Sequence, residues 1–593
     1  MSDSGTVTAW LQAFEGALTS RDIAAVTGLF HADASWRDLL SFTWNIKTLE
    51  GHSAIAAMLD ATLATTAPVG WRMVGPAATL GSETRAWIAF ETTAAHCSGR
   101  LTLRGGRCDI LLTAMEDLRG HAEPRRASRP LGVGQQADRN RTTWAENRAA
   151  ETARLGHAEQ PYVVIIGGGQ GGIALGARLR QLGVPALIIE QNPRAGDSWR
   201  NRYRSLVLHD PVWYDHMPYL PFPENWPVFT PKDKMGDWLE AYVSLFELNI
   251  WTGTTCDRAA YDPAARDWTV LVTGPGGPIT LKPKHLVFAT GGYGPPRRID
   301  WPGMQDFTGT LLHSSAYSHG ASFAGKNCVV VGAASSAHDV AVDLWEAGAD
   351  VTMIQRTPTT VVRSQTLMDL GFENYSEAAL ERGIGTELAD MLAASIPFSR
   401  FSASQRTLYQ TIRARDAAFY QRLAASGFAL DFGEDDSGLM MKALRTASGY
   451  YIDVGASDLI ARGEIGVIAG DDVARLTASG LTLVSGRSVA AEVIIACTGY
   501  QSMNEAVAGI VSRGVADAVG PCWGLGSGVR GDPGPWQGEL RNMWKPTAQE
   551  ALWFHGGNLA LSRFYSRYVA LQLKARFEGI ACPVYQRPAV LAA

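Results

Sequence analysis

Three glycines stand at a spacing that suits the phosphates of a dinucleotide. Gly167, Gly169 and Gly172 follow the apolar run 162–166 and match the pattern G-x-G-x-x-G. In such a loop the first glycine allows a tight turn, the second lets backbone approach a pyrophosphate, and the third lets helix and strand pack closely. Glu190 ends the next strand-like run, where a carboxylate can accept hydrogen bonds from ribose hydroxyls. Because this acid would repel a 2′-phosphate, the site predicts FAD or NAD and not NADP.

A second, degenerate copy of the pattern lies in residues 325–356. Gly332 opens its turn, and Ser335 and Ser336 can offer hydroxyls to a phosphate. Arg356 stands near the place where the first copy has its acid, and a guanidinium is a planar, always-charged partner for a 2′-phosphate. The second copy therefore predicts an NADPH site. How strictly NADPH is preferred over NADH stays open, as does the alternative that Arg356 is only a surface residue.

Both loops need a strand in front and a helix behind. The run 162–166 is continuously apolar, as a buried parallel strand requires. A helical pattern follows it and ends at Gly183, a residue type common just past helix ends. The second copy repeats this order. The chain is therefore predicted to be α/β, with two Rossmann-like dinucleotide-binding domains.

The first 125 residues show a different pattern. Apolar residues at helical spacing come first, and short strand-like runs follow as far as residue 116. Helices followed by antiparallel strands predict an α+β domain. Residues 126–160 are rich in arginine and lack a sustained apolar period, so we interpret them as a linker.

Composition argues against several classes of function. Lys+Arg 53 against Asp+Glu 58 gives a net charge of −5, which does not favour a nucleic-acid partner. No stretch approaches about 18 consecutive apolar residues, so we expect no membrane span. The first twenty residues lack a basic start followed by an apolar core, so we expect no signal peptide. The scattered cysteines are interpreted as reduced, which predicts a cytoplasmic protein.

The seven cysteines are scattered, and no two form C-x-x-C. This distribution argues against a disulfide framework, a zinc site and a dithiol redox centre. One rival interpretation, a pyridine nucleotide–disulfide reductase, needs such a dithiol and is disfavoured for that reason.

The segment between the two nucleotide motifs carries a family fingerprint. Phe307, Gly309, His313 and Tyr317 fit F-x-G-x-x-x-H-x-x-x-Y. This resembles the class B flavoprotein monooxygenases, and Tyr317 resembles the flavin-containing branch more than the Baeyer–Villiger branch. Further segments resemble other parts of that family: GDSWRNRYRSL (196–206), FATGGYGPP (288–296), QRTP (355–358) and IIACTGY (494–500).

The N-terminal segment resembles the SnoaL-like members of the NTF2 superfamily, a cone-shaped α+β fold. With this extension the chain is most similar to type II flavin-containing monooxygenases. The resemblance implies five segments: an NTF2-like domain (1–125), a linker (126–160), the first part of an FAD-binding domain (161–325), an NADPH-binding domain with a helical insertion (326–455), and the second part of the FAD-binding domain (456–593).

The resemblance implies a reaction as well. NADPH would reduce FAD, and O2 would then form a flavin C4a-(hydro)peroxide that transfers one oxygen atom to a small organic substrate. S- or N-oxygenation and Baeyer–Villiger oxidation of a ketone both remain open: Tyr317 favours the former, and the N-terminal extension favours the latter. A non-catalytic or sensing flavoprotein that binds FAD and NADP, or another FAD/NADPH oxidoreductase, is the alternative.

Four side chains are the catalytic candidates that follow from the resemblance. Typical flavin-containing monooxygenases have an asparagine where this chain has His209 and Asp210. A histidine titrates near working pH, so His209 could tune the proton of the oxygenating species; the alternative is that it only orients backbone. His313 and Tyr317 lie between the nucleotide domains, where we expect them to assist domain movement and NADPH placement.

The remaining candidates are cofactor contacts. Trp199 and Arg202 follow the first nucleotide motif and are expected to cover the flavin. Two segments resemble the Ala-Thr-Gly-type strand ends of this family: FATGGYGPP (288–296) is the first and IIACTGY (494–500) is the second. Thr498 and Gly499 belong to the second. Asn558 precedes a C-terminal helix, at the point where chains of this family return to the flavin ring. The helical insertion, about 370–446, is expected to shape a substrate channel or a homodimer contact.

Overall fold

A computed structural model of the protein describes residues 3–132, 137, 139–291 and 294–591. Its N-terminal region contains three helices and six strands, in this order: α1 (Asp3–Ser20), α2 (Ile23–Gly28), β1 (Phe30–Leu39), β2 (Ile46–Glu50), α3 (Gly51–Thr66), β3 (Val69–Leu80), β4 (Glu83–Glu91), β5 (Ala95–Arg104) and β6 (Arg107–Leu118). The strands form one sheet in the order β2-β1-β6-β5-β4-β3. Strands β1 and β6 run parallel, and the other neighbours run antiparallel.

Aromatic side chains fill the interior of this N-terminal domain. The rings of Trp71 and Phe90 stack at 3.9 Å between centroids, and Phe30 and Trp36 stack at 5.8 Å. Asp38 lies beside them with no exposed surface, and its carboxylate accepts hydrogen bonds from the hydroxyls of Thr43 and Thr113. Burial raises the pKa of Asp38 to about 6. The interior is therefore a packed core, and the α+β arrangement agrees with the sequence pattern.

The rest of the chain alternates strands and helices. Up to the first Ala-Thr-Gly segment these are α4 (Trp144–Arg154), β7 (Val163–Ile166), α5 (Gln170–Gln181), β8 (Ala186–Ile189), α6 (Asp197–Arg200), α7 (Lys232–Leu245), β9 (Ile250–Trp251), β10 (Thr255–Asp262), β11 (Asp267–Gly274), β12 (Gly277–Leu281) and β13 (His285–Phe288).

The second nucleotide region and its insertion follow. They comprise β14 (Thr310–His313), β15 (Asn327–Val331), α8 (Ser335–Glu346), β16 (Asp350–Gln355), β17 (Thr359–Arg363), α9 (Ser364–Leu370), α10 (Glu377–Glu381), α11 (Thr386–Ala394), α12 (Phe398–Arg415), α13 (Ala417–Ala425), β18 (Leu430–Asp431), α14 (Gly438–Thr446), β19 (Tyr450–Asp453), α15 (Ala456–Ala461), β20 (Ile465–Ala469), β21 (Val473–Thr477), β22 (Gly480–Leu483), β23 (Ser488–Ala490) and β24 (Val493–Ala496). The C-terminal part adds α16 (Asn504–Ile510), α17 (Arg513–Val519), β25 (Leu552–Phe554) and α18 (Leu559–Phe577).

Two parallel five-stranded sheets carry the two glycine loops. The first has the order β25-β13-β7-β8-β9, and the second has the order β14-β24-β15-β16-β20. Smaller sheets, β10-β11-β12 and β21-β22-β23, are antiparallel, and β18-β17-β19 is parallel. The central strands β7 and β13 are buried along their whole length. A mixed α/β chain built on parallel sheets, as predicted, is confirmed.

The second parallel sheet crosses two of the expected domain boundaries. Strand β14 comes from before residue 326, whereas β20 and β24 come from after residue 455, yet all three belong to the sheet that contains β15. The sequence pattern missed this because each strand by itself is only a short apolar run, and pairing between distant runs leaves no local signal.

The predicted linker contains one helix. Helix α4 starts at a capping box in which Thr143 and Glu146 exchange hydrogen bonds. Arg148 donates to Asn249 and to the carbonyl of Leu248, which ties the helix to the chain just before β9. Residues 133–136 and 138 of the linker lie outside the described residues. Among the helices the structure describes, none is both long and apolar enough to cross a membrane.

Candidate functional site: two glycine loops and the segments between them

The first glycine loop is packed so closely that side chains would not fit. A Cβ on Gly172 would lie 1.9 Å from the carbonyl oxygen of Gly167, and a Cβ on Gly167 would lie 2.4 Å from that of Ala289. Gly167 has φ +109, a backbone conformation that favours glycine. Gly169 is the N-cap of α5, and a Cβ on it would have the Ser198 hydroxyl as its nearest neighbour, at 3.6 Å. The loop therefore brings strand and helix together and leaves room at the middle glycine, where a pyrophosphate approaches.

Glu190 follows β8 and lies against this loop. Its carboxylate accepts hydrogen bonds from the backbone N–H of Gly168 at 2.7 Å and from the backbone and side-chain N–H groups of Asn192 at 2.7 and 2.6 Å. Only 5% of Glu190 is exposed. The acid that the glycine pattern predicted is thus held in a fixed position at the end of the second strand.

The C-terminal segment returns to the first loop. The side chain of Gln170 donates to the carbonyl of Gly557 at 3.1 Å and accepts from the indole of Trp199 at 3.2 Å. Asn558 is the N-cap of α18, where its side-chain oxygen accepts from Leu561 N–H. The amide of Asn558 also donates to the hydroxyl of Tyr214 at 3.2 Å. Trp199 and Asn558 therefore border the first loop.

The predicted contact Arg202 is placed differently. Its side chain is exposed, and its guanidinium lies 5.8 Å from the ring centroid of Tyr203. Tyr203 is buried and donates to Asp339 of α8 at 2.5 Å. The segment after the first nucleotide motif thus reaches the helix of the second motif.

The second loop has the same backbone plan as the first, and one of its two serine hydroxyls is already hydrogen-bonded. Gly332 has φ +128, and a Cβ there would lie 2.5 Å from the carbonyl oxygen of Cys497. Ala334 is the N-cap of α8, as Gly169 is for α5. Ser335 donates its hydroxyl to the carbonyl of Tyr450 at 3.1 Å, whereas Ser336 is partly buried in the first turn of α8. The helix N-terminus, more than Ser335, therefore offers donors to a phosphate.

Arg356 lies just after β16 with 73% of its side chain exposed. Its guanidinium is 3.4 Å from the carboxylate of Asp472. Gln355, the preceding residue, is fully buried and is hydrogen-bonded to Ala429. The guanidinium is therefore the polar group available at this strand end for a phosphate, with Asp472 as its competitor.

The loops that end β13 and β24 meet each other. The N–H of Gly294 donates to the carbonyl of Gln501 at 2.7 Å. The N–H of Arg297 donates to the carbonyl of Gly499 at 3.0 Å. Thr498 is partly buried in the same loop. Residues 292 and 293 of the first Ala-Thr-Gly-type segment lie outside the described residues. Contact between these two strand ends joins the two parallel sheets.

His313 and Tyr317 support this junction. The imidazole Nε2 of His313 donates to the carbonyl of Gly499 at 3.2 Å, and its Nδ1 accepts from Ser315 N–H. Burial lowers the pKa of His313, so the neutral ring is favoured. Tyr317 is buried and donates to the carboxylate of Asp343 on α8 at 2.5 Å. Both side chains are thus engaged in holding loops and helix together.

His209 reaches the second domain, whereas Asp210 lies close to Tyr214 and Asp215. The Nε2 of His209 lies 3.5 Å from the carboxylate of Asp339, the same group that receives the Tyr203 hydroxyl. Burial raises the pKa of Asp339, and it raises the pKa of Asp210 to about 6. The structure therefore brings His209 to α8, the helix of the second glycine loop.

Sequence reasoning missed Asp339, Gln170 and Asp215. Asp215 is 1% exposed, and both of its carboxylate oxygens lack a hydrogen-bond partner among the described residues. Burial, followed by the nearby charge of Asp210, raises the pKa of Asp215 well above its usual value, which favours the neutral carboxyl. For Asp339 the sequence offers one clue: it comes four residues after Ser335, which places it one helical turn from the predicted phosphate contact.

These residues fit a flavin nucleotide and a nicotinamide nucleotide. The first loop excludes side chains where a pyrophosphate needs backbone, and its strand-end acid suits a ribose diol. The second ends in a guanidinium that suits a 2′-phosphate. The seven cysteines are all free among the described residues, so a disulfide does not contribute to either site.

Comparison with known proteins agrees with this geometry. Residues 164–428 match the family model described as pyridine nucleotide-disulphide oxidoreductase. Indole-3-pyruvate monooxygenase YUCCA1 of Oryza sativa subsp. japonica is 33% identical over 344 residues, which cover 58% of this chain and 77% of that protein. The chain belongs to the flavin-dependent monooxygenase family. This monooxygenase uses FAD and NADPH, and it acts with O2 on a small molecule.

Other relatives extend the comparison. Probable indole-3-pyruvate monooxygenase YUCCA10 of Arabidopsis thaliana is 28% identical over 347 residues, covering 58% of this chain and 82% of that protein. A crystal structure of cyclohexanone monooxygenase with ε-caprolactone bound superposes with a TM-score of 0.50 at 18% identity, covering 70% of this chain and 88% of that one. The latter likeness shows a shared fold.

Proposed function

We propose that the first loop binds FAD, that the second binds NADPH, and that the monooxygenase oxygenates a sulfide, an amine or a carbonyl compound. The observation that carries this assignment is the unlike charge of the two strand ends, Glu190 at the first and Arg356 at the second. A carboxylate accepts from ribose hydroxyls, whereas a guanidinium attracts a 2′-phosphate. The contact between Gly294 and Gln501 supports the proposal because it joins the ends of the two sheets.

Each group of residues has a distinct task in this proposal. The N–H groups at the start of α5 and α8 bind phosphates. Trp199 and Asn558, which border the first loop, would hold the flavin. His313 and Tyr317 hold the domain junction. A bound flavin would supply the redox chemistry, namely hydride acceptance from NADPH and reduction of O2, with one oxygen atom entering the substrate and the other leaving as water.

His209 is proposed to set a proton at the active site, with Asp339 as the carboxylate that orients it. We expect His209→Ala to raise the fraction of NADPH that ends as hydrogen peroxide, and His209→Asn, which restores the family's usual amide, to behave closer to the native enzyme. Full coupled turnover in His209→Ala would remove His209 from this role.

Two substrate classes follow from the fingerprint, and the relatives add a third. A thioether tests heteroatom oxygenation, and a small cyclic ketone tests Baeyer–Villiger oxidation. The activity for which the rice relative is named, on indole-3-pyruvate, suggests an aryl 2-oxo acid. The 2-oxo carbon of such an acid is an electrophile, as the carbonyl carbon of a ketone is. The same protonation state of the oxygenating species would therefore serve the ketone and the 2-oxo acid.

The decisive experiment measures NADPH consumption and product with thioanisole, cyclobutanone and indole-3-pyruvate in parallel. The expected products are methyl phenyl sulfoxide, γ-butyrolactone and indole-3-acetate, the last with release of the carboxyl carbon as CO2. A coupled reaction gives one molecule of product for each NADPH and each O2 consumed, with the second oxygen atom leaving as water. Protein that takes up no flavin would contradict the assignment of the first loop. NADPH oxidation that no substrate accelerates would favour the alternative of a flavoprotein that binds both nucleotides without oxygenating.

Four further features belong to the same proposal. The N-terminal domain is proposed to be NTF2-like, which its helix and strand order supports. The protein is proposed to act in the cytoplasm, which the free cysteines of the described residues support. His313 and Tyr317 remain proposed residues of NADPH placement. A homodimer through the helical insertion is proposed, and light scattering of the purified holoenzyme tests it.

A further inference from the structure

One buried arginine of the N-terminal domain reaches the C-terminal half of the chain. Arg37, on β1, donates two hydrogen bonds to Glu539, at 2.7 and 2.8 Å, in the bidentate geometry of a strong ion pair. The two side chains are 2% and 3% exposed. Charges this deeply buried are costly to remove from water, so they persist where their hydrogen bonds are complete.

The same guanidinium contacts two helices. It donates to the carbonyl of Ala394, the last residue of α11, at 2.8 Å. It also donates to the hydroxyl of Tyr565, on α18, at 2.8 Å. We call Arg37, Glu539, Tyr565 and the Ala394 carbonyl the Arg37 clamp. Through this clamp the N-terminal domain holds α11 and α18 at a fixed separation.

The same two helices are joined a second time next to the flavin site. Arg563 of α18 forms a bidentate ion pair with Asp390 of α11 at 2.7 and 2.8 Å. Its remaining donors reach the carbonyls of Tyr214 and His216. The hydroxyl of Tyr214 is in turn held by Asn558.

These contacts connect the clamp to the first glycine loop. Tyr214 packs against Phe372 and Tyr375 at 5.1 and 4.8 Å, and Tyr375 donates to Asp390 at 2.9 Å. Gln170 of the loop binds Gly557, next to Asn558. A change in the separation of α11 and α18 would therefore move the aromatic group and Asn558 relative to the loop.

We propose that Arg37 is a positioning residue of the oxygenation reaction: it holds α11 and α18 so that Tyr214 and Asn558 keep their places beside the flavin. The inference rests on the proposed binding of FAD at the first loop. It gives the N-terminal domain a task that needs no binding site of its own, in agreement with the aromatic core that fills its interior. Loss of the clamp should let the flavin site loosen while the second nucleotide site stays intact.

The test compares Arg37→Met with two controls. Val26→Ala removes buried volume from the same domain without touching the clamp, so it reports simple destabilisation. Arg85→Met removes a partly exposed arginine of β4, which pairs with Glu83 of β4, so it reports loss of charge alone. Each holoenzyme is assayed below its own unfolding temperature, with hydrogen peroxide, FAD affinity of the apoprotein and KM for NADPH as readouts.

We expect Arg37→Met to raise the peroxide fraction and to weaken FAD binding at least threefold, with KM for NADPH within twofold of native. Arg37→Lys keeps the positive charge but loses the bidentate geometry. Its peroxide fraction and FAD affinity should lie between those of Arg37→Met and the native enzyme. Both controls should match the native enzyme. The inference is overturned if Arg37→Met matches native in both flavin readouts, or if Val26→Ala reproduces its effects.

A double variant tests the connection between the two junctions. Arg37→Met and Arg563→Lys should give less than the product of their separate effects on FAD affinity, because both act on α11 and α18. If the two substitutions changed FAD affinity independently, the proposed connection between the Arg37 clamp and the first glycine loop would be contradicted. FAD affinity needs no turnover, so it judges Arg37 even if no substrate is oxygenated; a native protein that binds no FAD would instead refute the proposed function.

Discussion

The two proposed nucleotide sites of this monooxygenase share a backbone plan but differ in how their polar groups are engaged. At the first site Glu190 is 5% exposed and is fixed by three N–H donors. At the second, Arg356 is 73% exposed, and among the described residues one carboxylate, that of Asp472, lies within ion-pair distance. A preformed pocket loses little freedom when it binds, whereas an exposed side chain must be ordered by its ligand. The difference suits a cofactor that stays at the first site and one that exchanges at the second.

The largest expected effect is at the third glycine of the first loop. Gly172→Val would place side-chain atoms against the carbonyl oxygen of Gly167, which already lies 1.9 Å from where a Cβ would be. The helix would have to move away from the strand, so we expect colourless protein with less than about a tenth of the native flavin. Absorbance of the purified protein measures this.

A glycine without such neighbours supplies the control. A Cβ on Gly16 of α1 would meet nothing within 4 Å. Gly16→Ala should therefore keep the native flavin content. Yellow Gly172→Val protein would show that the first loop is less closely packed than its geometry requires.

The next largest effect separates the two sites by cofactor. Arg356→Ala removes the charge-assisted hydrogen bonds offered to a 2′-phosphate, worth about 2 kcal/mol, or roughly 30-fold in NADPH affinity. NADH affinity should stay within about twofold. Binding of both nucleotides by fluorescence titration measures this, with Arg475→Ala as the control because Arg475 is another exposed arginine of the same region. Equal loss of both nucleotides would contradict the 2′-phosphate assignment.

A smaller effect is expected at the acid of the first site. Glu190→Gln keeps an oxygen that can accept from Gly168 but loses the charge, so FAD binding should weaken by about tenfold while NADPH binding is unchanged. Titration of apoprotein with FAD gives the affinity. Glu240→Gln, which alters a partly exposed acid on α7 that is likewise hydrogen-bonded, is the matched control. If NADPH binding weakened as much as FAD binding, the two sites would not be independent.

The smallest effect concerns the competitor of Arg356. Asp472→Asn removes an exposed ion pair, and such pairs contribute at most about 1 kcal/mol. We expect NADPH to bind about two- to threefold more tightly, since Arg356 is released for the phosphate. Weaker NADPH binding in this variant would mean that Asp472 orients the guanidinium instead of competing for it.

Particular residues show how far sequence reasoning reached. The strands and helices around both loops, and Glu190 at the end of β8, were predicted because their signals are local: glycine spacing, apolar runs and an acid about twenty residues on. Ser335 was predicted as a phosphate contact, and its hydroxyl instead binds the carbonyl of Tyr450, 115 residues away. Tyr317 fits a fingerprint, but the fingerprint does not reveal that Asp343 receives its hydroxyl.

By itself the sequence determined the two nucleotide motifs, their unlike charges and the family they indicate, since each depends on residues within about thirty positions of one another. Only the tertiary structure decided which strands share a sheet, which carboxylate faces His209, and how the N-terminal domain is attached. Arg37 and Glu539 are 502 positions apart, and nothing in their neighbouring residues marks them as partners. Buried ion pairs arise when the folded backbone brings distant charges together away from water, and a linear pattern carries no record of that distance.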